Sequence, residues 1–266
     1  MRILFVADAV GVPGRRAIEE RLSSLRTELR ADLCILNGEN LADGVGITPK
    51  LADKMLAAGV DVITLGNHVW RRGEIIPYLK ESDRLTRPAN LSKRAPGKGL
   101  TFATAASGNE VAVINLIGAL FLGPPVGPFE VIDELVDEAH KRTPVIVVDM
   151  HAEATSEKVA MAKWLDGRVT AVFGTHTHIQ TNDARVQPGG TAAITDAGMT
   201  GPHDSVIGVQ AELAIKAMRT GMPIRFETAS GDVRTISMKP PKMIPACFQS
   251  AATVTTCAPR TPSPKA

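Results

Sequence analysis

Ile3-Leu4-Phe5-Val6-Ala7-Asp8, near the start of the chain, is an unbroken apolar run that ends in a carboxylate. Such a run predicts a strand that is buried on both faces, as in a parallel sheet. Across residues 15–30, apolar side chains recur every three or four positions, which predicts an amphipathic helix. A second apolar run, residues 33–36, then ends in Asn37-Gly38-Glu39-Asn40. Strand, helix and strand in this order predict a βαβ unit whose two strands end at the same edge of the sheet.

Three further apolar runs end in polar residues in the same way. The C-terminal edge of a parallel sheet is where α/β proteins bind ligands, so we expect these polar residues to lie together there. The runs and the residues that follow them are 60–65 with Gly66-Asn67-His68, 145–148 with Asp149-Met150-His151, and 169–173 with Gly174-Thr175-His176-Thr177-His178.

The remaining segments complete an α/β fold. Ser107-Gly108-Asn109 lies between two apolar runs and predicts a hairpin, with which a second, antiparallel sheet would begin. The glycines and proline of residues 11–14 predict a break between the first strand and the first helix. Other predicted helices cover residues 48–58, 73–80, 130–142, 155–165 and 211–219, and other predicted strands cover residues 100–105, 110–117, 192–195, 224–229 and 233–238.

The C-terminal end differs in composition from the rest of the chain. After residue 238, six prolines lie among Ser, Thr and Ala with no apolar periodicity. Such composition predicts a tail that is loosely packed or disordered. We therefore expect one folded domain over residues 1–238 and a Pro/Ser/Thr-rich tail over residues 239–266.

Composition limits the class of protein. The net charge of the 266 residues is only +2, and basic residues of the tail supply it, so the composition does not favour binding to nucleic acid. The three cysteines are odd in number and lack CxxC spacing, which favours a reducing compartment. No signal-like segment and no run of about 18 apolar residues is present. We expect a cytoplasmic protein without membrane contact; a homo-oligomer is compatible with the sequence.

The polar residues at the strand ends have the chemistry of metal ligands. Imidazole, carboxylate and amide oxygen together suit first-row metals such as iron, manganese or zinc better than calcium. The set is too large for one tetrahedral ion, so it indicates a two-metal site of the kind that hydrolyses phosphoesters. Its members are Asp8, Glu39, Asn40, Asn67, His68, His151, His176 and His178.

Each residue also has an ordinary structural interpretation. Asp8 alone could cap a turn, and His151 alone could be a hydrogen-bonded histidine of the core. Asn40 could simply form a turn after its strand. His68 could orient a metal ligand instead of acting on the substrate. The metal interpretation depends on all of them occurring together at strand ends.

The order and the residues of these motifs resemble those of the calcineurin-like metallophosphoesterases, and most closely those of the YmdB-like phosphodiesterase family. The similarity extends over residues 1 to about 238. The motifs that carry it are Asp8, Asn37-Gly38-Glu39-Asn40, Gly66-Asn67-His68-Val69-Trp70, His151-Ala152-Glu153-Ala154-Thr155-Ser156-Glu157-Lys158, Gly174-Thr175-His176-Thr177-His178 and Met199-Thr200-Gly201-Pro202.

The resemblance implies a fold and a division of the ligands between two ions per chain. The fold would be α/β, a mixed sandwich of two β-sheets flanked by helices in four αββα layers. Glu39 would bridge the ions. One ion would be held by Asp8, Glu39, Asn40 and His178, and the other by Glu39, Asn67, His151 and His176.

Three positions depart from the wider superfamily pattern. Val10 stands where a histidine is usual, so Asn40 would supply the missing ligand. Glu39 replaces the usual bridging aspartate, and Val69 replaces an acid that often follows the Asn-His pair. A carboxamide is a weaker donor than imidazole, which leaves the metal open: iron or manganese is favoured, and zinc is the alternative.

The resemblance implies a hydrolase that cleaves phosphodiesters, such as cyclic nucleotides, with a hydroxide activated by two metal ions. We expect His68 to protonate the leaving oxygen. Two alternatives remain: a phosphomonoesterase or nuclease with the same centre, and a metal-containing regulatory or nucleic-acid-binding protein with little turnover. The single Tyr and two Trp argue against an aromatic platform for stacking bases.

Overall fold

The computed structural model describes residues 1–238, 251–253 and 255–257. The helices are α1 (Gly11–Leu29), α2 (Pro49–Ala57), α3 (Ile75–Glu81), α4 (Pro128–His140), α5 (Thr155–Trp164) and α6 (Ala211–Thr220). The strands are β1 (Arg2–Val6), β2 (Leu33–Asn37), β3 (Val62–Thr64), β4 (Leu85–Thr86), β5 (Leu100–Thr104), β6 (Glu110–Ile117), β7 (Ile146–His151), β8 (Ala171–Thr175), β9 (Arg185–Val186), β10 (Ala192–Ile194), β11 (Gly201–Asp204), β12 (Gly231–Met238), β13 (Ala251–Thr253) and β14 (Thr255–Cys257).

Two larger sheets form the body of the molecule. The first has strand order β13-β1-β2-β3-β4, and all of its strands are parallel. The second has strand order β5-β6-β7-β8-β10-β9, with a parallel centre and an antiparallel strand at each edge. A smaller antiparallel sheet has the order β11-β12-β14. The first βαβ unit and the β5–β6 hairpin are therefore confirmed.

Alternating side chains of each strand enter different cores, which produces four layers. In β1, Ile3 and Phe5 pack between the two sheets, whereas Leu4 and Val6 pack with the apolar residues of α1 and α2. Strands β7 and β8 alternate in the same way between the inner core and a third core with α4 and α5. Burial on both faces explains the unbroken apolar runs. The predicted αββα sandwich is confirmed.

Three expectations about single elements were wrong. The second sheet is mixed and not antiparallel, because only its edge strands run against their neighbours. Helix α1 begins at Gly11, inside the predicted break: Gly11 accepts a φ of +57°, and Pro13 lies in the first turn, where a missing N–H costs little. Residues 224–229 form no strand, since their link to a neighbour is one isolated bridge between Val209 and Thr228.

The predicted domain boundary at residue 238 stays a prediction. Most of the tail lies outside the described residues, namely 239–250, 254 and 258–266. Within it, β13 pairs with β1 and β14 pairs with β12. Over the described ranges, no helix is both long and apolar enough to cross a membrane.

The inner core has an aromatic contact that joins the two sheets. Phe5 of β1 and Phe173 of β8 stack with their ring centroids 4.7 Å apart, and Phe5 is fully buried. We expect Phe5→Ala to lower the free energy of unfolding by about 3–5 kcal/mol, because the cavity would lie between two sheets that cannot easily close it. Urea denaturation measures this loss. Phe226→Ala, at a half-exposed ring, is the control and should change stability by less than about 0.5 kcal/mol.

Candidate metal centre

The predicted site residues lie together at one end of the sandwich. Asp8 follows β1, Glu39 and Asn40 follow β2, and Asn67 and His68 follow β3. The second sheet contributes His151 at the end of β7 and, just beyond β8, His176 and His178. The two sets meet across the sandwich: the backbone N–H of His176 donates to Asp8 Oδ2 at 3.0 Å, and His151 Nε2 lies 3.2 Å from Glu39 Oε1.

The centre brings together more lone pairs of nitrogen and oxygen atoms than the available protons can hydrogen-bond. One ligand atom from each of Glu39, His151 and His176 falls within 4.8 Å of the others. His151 Nε2 lies 2.9 Å from Asn67 Oδ1 and 3.1 Å from His176 Nδ1. All of these atoms are natural metal donors, and a single proton can serve only one or two of them. This donor set fits a cation.

Asp8 provides a second sign of a cation site. It is fully buried, and its Oδ1 has no hydrogen-bond partner among the described residues. Burial raises the pKa of Asp8 well above its ordinary value; His151 opposes this shift and Glu39 adds to it. An unpaired buried carboxylate oxygen is costly, and coordination to a cation would remove that cost.

Asn40 and His178 form the other side of the centre. Asn40 Nδ2 lies 3.0 Å from His178 Nε2 and 3.2 Å from Glu39 Oε1, while Asn40 Oδ1 lies 2.8 Å from His68 Nδ1. The oxygen and nitrogen of an amide are assigned from such contacts and can exchange by a half-turn. Asn40 would bind a metal with its oxygen only after that half-turn, which would direct its NH₂ group to His68.

The second ring nitrogen of each histidine has a partner of its own. His151 Nδ1 lies 2.9 Å from Thr175 Oγ1, His176 Nε2 lies 3.0 Å from Glu153 Oε2, and His178 Nδ1 donates to the Ile207 carbonyl at 2.8 Å. Such partners fix the tautomer and the orientation of a ligating imidazole. The nitrogens left for the centre are therefore Nε2 of His151, Nδ1 of His176 and Nε2 of His178.

The pKa shifts indicate that the carboxylates of the centre stabilise a positive charge there. Burial raises the pKa of Glu39, but His151 and His68 outweigh burial and hold that pKa well below its ordinary value. Burial lowers the pKa of His151, but Glu39 and Asp8 outweigh it and raise the pKa to about 9. Burial and His151 together lower the pKa of His176 to about 3. Without a metal, the proton on His151 supplies the charge that Glu39 requires.

Backbone geometry brings both histidines of the HxH segment to the centre. His176 and His178 have φ values of 98° and 65°, which non-glycine residues rarely adopt. Thr177 between them donates to Asp196 Oδ2 from its backbone and from its hydroxyl, at 3.2 and 2.7 Å. Asp196 is paired with Lys158 at 2.6 Å, and both side chains are 2% exposed. This buried ion pair holds the segment in its unusual conformation.

Gly66 shows how closely the two sheets approach. A Cβ atom at this position would lie 2.2 Å from Glu39 Oε2 and 2.4 Å from His151 Nε2. Any side chain here would displace a candidate ligand, which explains the glycine before Asn67-His68.

Three polar neighbours of the site have partners of their own. Glu153 contacts His176, and Asp149 reaches His151 only through Thr175. His203 Nε2 lies 3.1 Å from the Met199 carbonyl. Lys158 was missed as a functional residue, although it is the last residue of the motif that begins at His151.

Comparisons with known proteins identify the family of this chain. The model of the YmdB-like protein family matches residues 4–239. A Bacillus subtilis (strain 168) protein named 2',3'-cyclic-nucleotide 2'-phosphodiesterase is 50% identical over 231 residues, which cover 87% of each chain.

Two solved structures are also similar. A hypothetical protein from Thermus thermophilus is 41% identical with a TM-score of 0.83, over 89% of this chain and 91% of that one. A novel phosphatase from Mycoplasma pneumoniae is 35% identical with a TM-score of 0.81, over 88% of this chain and 85% of that one. With the family model matching nearly the whole described body, the expected membership is confirmed, and the chain belongs to the YmdB-like family.

Proposed function

We propose that this protein is a metal-dependent phosphodiesterase that hydrolyses small phosphodiesters, cyclic nucleotides in particular. The observation that carries the proposal is the buried cluster of donor atoms around Glu39 and His151, beside an unpaired Asp8 oxygen. The name of the Bacillus subtilis relative supports the substrate class.

Two metal ions would share this cluster. Glu39 Oε1 lies 3.2 Å from His151 Nε2 and 3.2 Å from Asn40 Nδ2, the atom whose place the amide oxygen would take after the half-turn. Glu39 therefore lies between candidate ligands of both ions, which supports it as the ligand that they would share. One ion would bind Asp8, Glu39, Asn40 and His178, and the other would bind Glu39, Asn67, His151 and His176. Iron or manganese suits this mixture of nitrogen and oxygen donors, and zinc is the alternative.

Bound metal ions would make this site electropositive. Two divalent ions would carry more charge than the carboxylates of Asp8 and Glu39 cancel, so the loaded centre attracts a phosphodiester. When bound, such ions polarise the phosphoryl oxygens and lower the pKa of water.

The surroundings of His68 support a role as the acid that protonates the leaving oxygen. Its Nδ1 lies 2.8 Å from Asn40 Oδ1 and 3.3 Å from Glu39 Oε1, and its backbone N–H donates to Glu39 Oε2. No hydrogen bond among the described residues uses Nε2, and the side chain is 24% exposed, unlike the buried Glu39 and His151. His68 would give its proton from Nε2 to the departing oxygen.

A phosphomonoesterase is the second candidate, because the Mycoplasma pneumoniae relative is named a phosphatase. The two activities can be separated with bis(p-nitrophenyl) phosphate and p-nitrophenyl phosphate as parallel substrates, together with a 2',3'-cyclic nucleotide. Protein stripped with a chelator should be inactive on all three, and manganese or iron should restore activity on the diesters more than zinc does.

The result decides between the candidates. Faster cleavage of the diesters supports the proposal, and faster cleavage of the monoester supports a phosphatase. Full metal content with no hydrolysis of any of these substrates would instead favour a regulatory or binding role.

A further inference from the structure

A group of buried polar residues lies between the two sheets, directly below the metal centre. Asp149 of β7 is fully buried and accepts three hydrogen bonds. Asn37 Nδ2 and Thr64 Oγ1, from the first sheet, donate to Asp149 Oδ2 at 2.9 and 2.5 Å. Thr175 Oγ1, from the second sheet, donates to Asp149 Oδ1 at 2.6 Å. These four side chains therefore interrupt an inner core that is otherwise largely apolar.

Thr175 connects this group to a candidate metal ligand. Its Oγ1 lies 2.9 Å from His151 Nδ1. The hydroxyl proton of Thr175 is used in the bond to Asp149, so its oxygen must accept the Nδ1 proton of His151. A proton held on Nδ1 leaves His151 Nε2 as the nitrogen that faces Glu39 and Asn67. The donors around Asp149 set these directions, since Asn37 presents its NH₂ group and Thr64 and Thr175 present their hydroxyls to the carboxylate.

We propose that Asp149 is a positioning residue that acts through Thr175 to hold His151 in the metal-binding tautomer and orientation. The inference rests on the proposed metal site. A carboxylate buried between two sheets is costly, and donors from three neighbouring strands offset that cost. Packing alone does not require it, because apolar residues fill the same inner face elsewhere.

A purely structural role, joining the two sheets, is the competing explanation. A variant of Thr64 distinguishes this structural role from the positioning role. Thr64 and Thr175 each donate one short hydrogen bond to the same carboxylate, but only Thr175 touches His151. Thr64→Val and Thr175→Val both replace a hydroxyl by a methyl group and are therefore matched variants.

The test measures binding of Mn²⁺ by chelator competition, the metal content per chain, and the melting temperature of the metal-free protein. We expect the two valine variants to lose similar stability. Thr175→Val should also lower the affinity for one of the two ions by about 10–100-fold, as the loss of a hydrogen-bond partner of a metal ligand generally does. Thr64→Val should bind both ions within a few-fold of wild type, and Thr175→Ser should restore binding.

Asp149→Asn gives a second test with an almost unchanged shape. In either orientation, its NH₂ group would face a donor, Thr175 on one side or Asn37 and Thr64 on the other. With the NH₂ group toward Thr175, that hydroxyl would donate to His151 Nδ1 and impose the wrong tautomer. We expect weakened Mn²⁺ binding here as well.

The outcomes distinguish the positioning role of Asp149 from the proposed metal site itself. Wild-type affinity for both ions in Thr175→Val and Asp149→Asn would overturn the positioning role while leaving the metal site intact. Equal losses of affinity in Thr64→Val and Thr175→Val would also overturn it, in favour of the structural role. Wild-type protein that binds no Mn²⁺ would overturn the proposed metal site, and the inference with it.

Discussion

Glu39→Gln protein should bind neither metal ion and should lose phosphodiesterase activity by at least about 10³-fold. Glu39 is the carboxylate that contacts both halves of the centre, at 3.2 Å from His151 Nε2 and 3.2 Å from Asn40 Nδ2. Gln keeps one oxygen, and its NH₂ group would face one half of the centre. Removing one electrostatic donor from an active site typically costs 10²–10³-fold, and here two ions would be lost together.

Glu153→Gln is the matched control for Glu39→Gln. Glu153 is 52% exposed and contacts His176 at Nε2, away from the centre. We expect a loss of metal affinity of less than about tenfold, because the contact is half exposed and glutamine keeps an oxygen that can accept the Nε2 proton of His176. Elemental analysis of the purified variants gives metal per chain, and circular dichroism verifies the fold. Two ions per chain in folded Glu39→Gln would show that Glu39 is not the bridge.

His68→Ala should keep both ions but lose about 10²–10⁴-fold in kcat, the usual contribution of a positioned acid. The loss should depend on the leaving group. A p-nitrophenolate ion leaves readily without a proton, whereas a ribose oxygen requires one. We therefore expect a much larger loss with a 2',3'-cyclic nucleotide than with bis(p-nitrophenyl) phosphate.

His203→Ala is the control, because the ring of His203 contacts the Met199 carbonyl and belongs to no part of the centre. It should retain full activity. An equal loss with both substrates in His68→Ala would assign His68 to the orientation of ligands instead of to proton transfer. A wild-type rate with the cyclic nucleotide would remove His68 from the reaction altogether.

The sequence predicts those parts of the fold in which burial produces a local pattern of apolar residues. Strands β1, β2, β7 and β8 are buried on both faces, so each appears as an apolar run. Residues 224–229 have β-like composition but make a single bridge, and composition does not reveal whether a sheet edge is available. The start of α1 depends on the positive φ of Gly11 and on contact of Gly14 with the Thr200 backbone, which tertiary packing determines.

The candidate site was predictable because parallel strands deliver their ends to one edge. That rule placed residues from Asp8 to His178 together without any knowledge of their contacts. It could not indicate which nitrogen of each histidine faces the centre, since this depends on partners such as Ile207 and Glu153. The bonds from Asn37 and Thr64 to Asp149 join residues 112 and 85 positions apart, beyond any local pattern.

An anomalous-difference map from crystals soaked with Mn²⁺ would test the two-metal centre most directly. We predict two peaks about 3.5–4 Å apart with Glu39 between them. Asp8, Asn40 and His178 should surround one peak, and Asn67, His151 and His176 the other. A single peak, or two peaks with His176 and His178 on the same ion, would contradict the account.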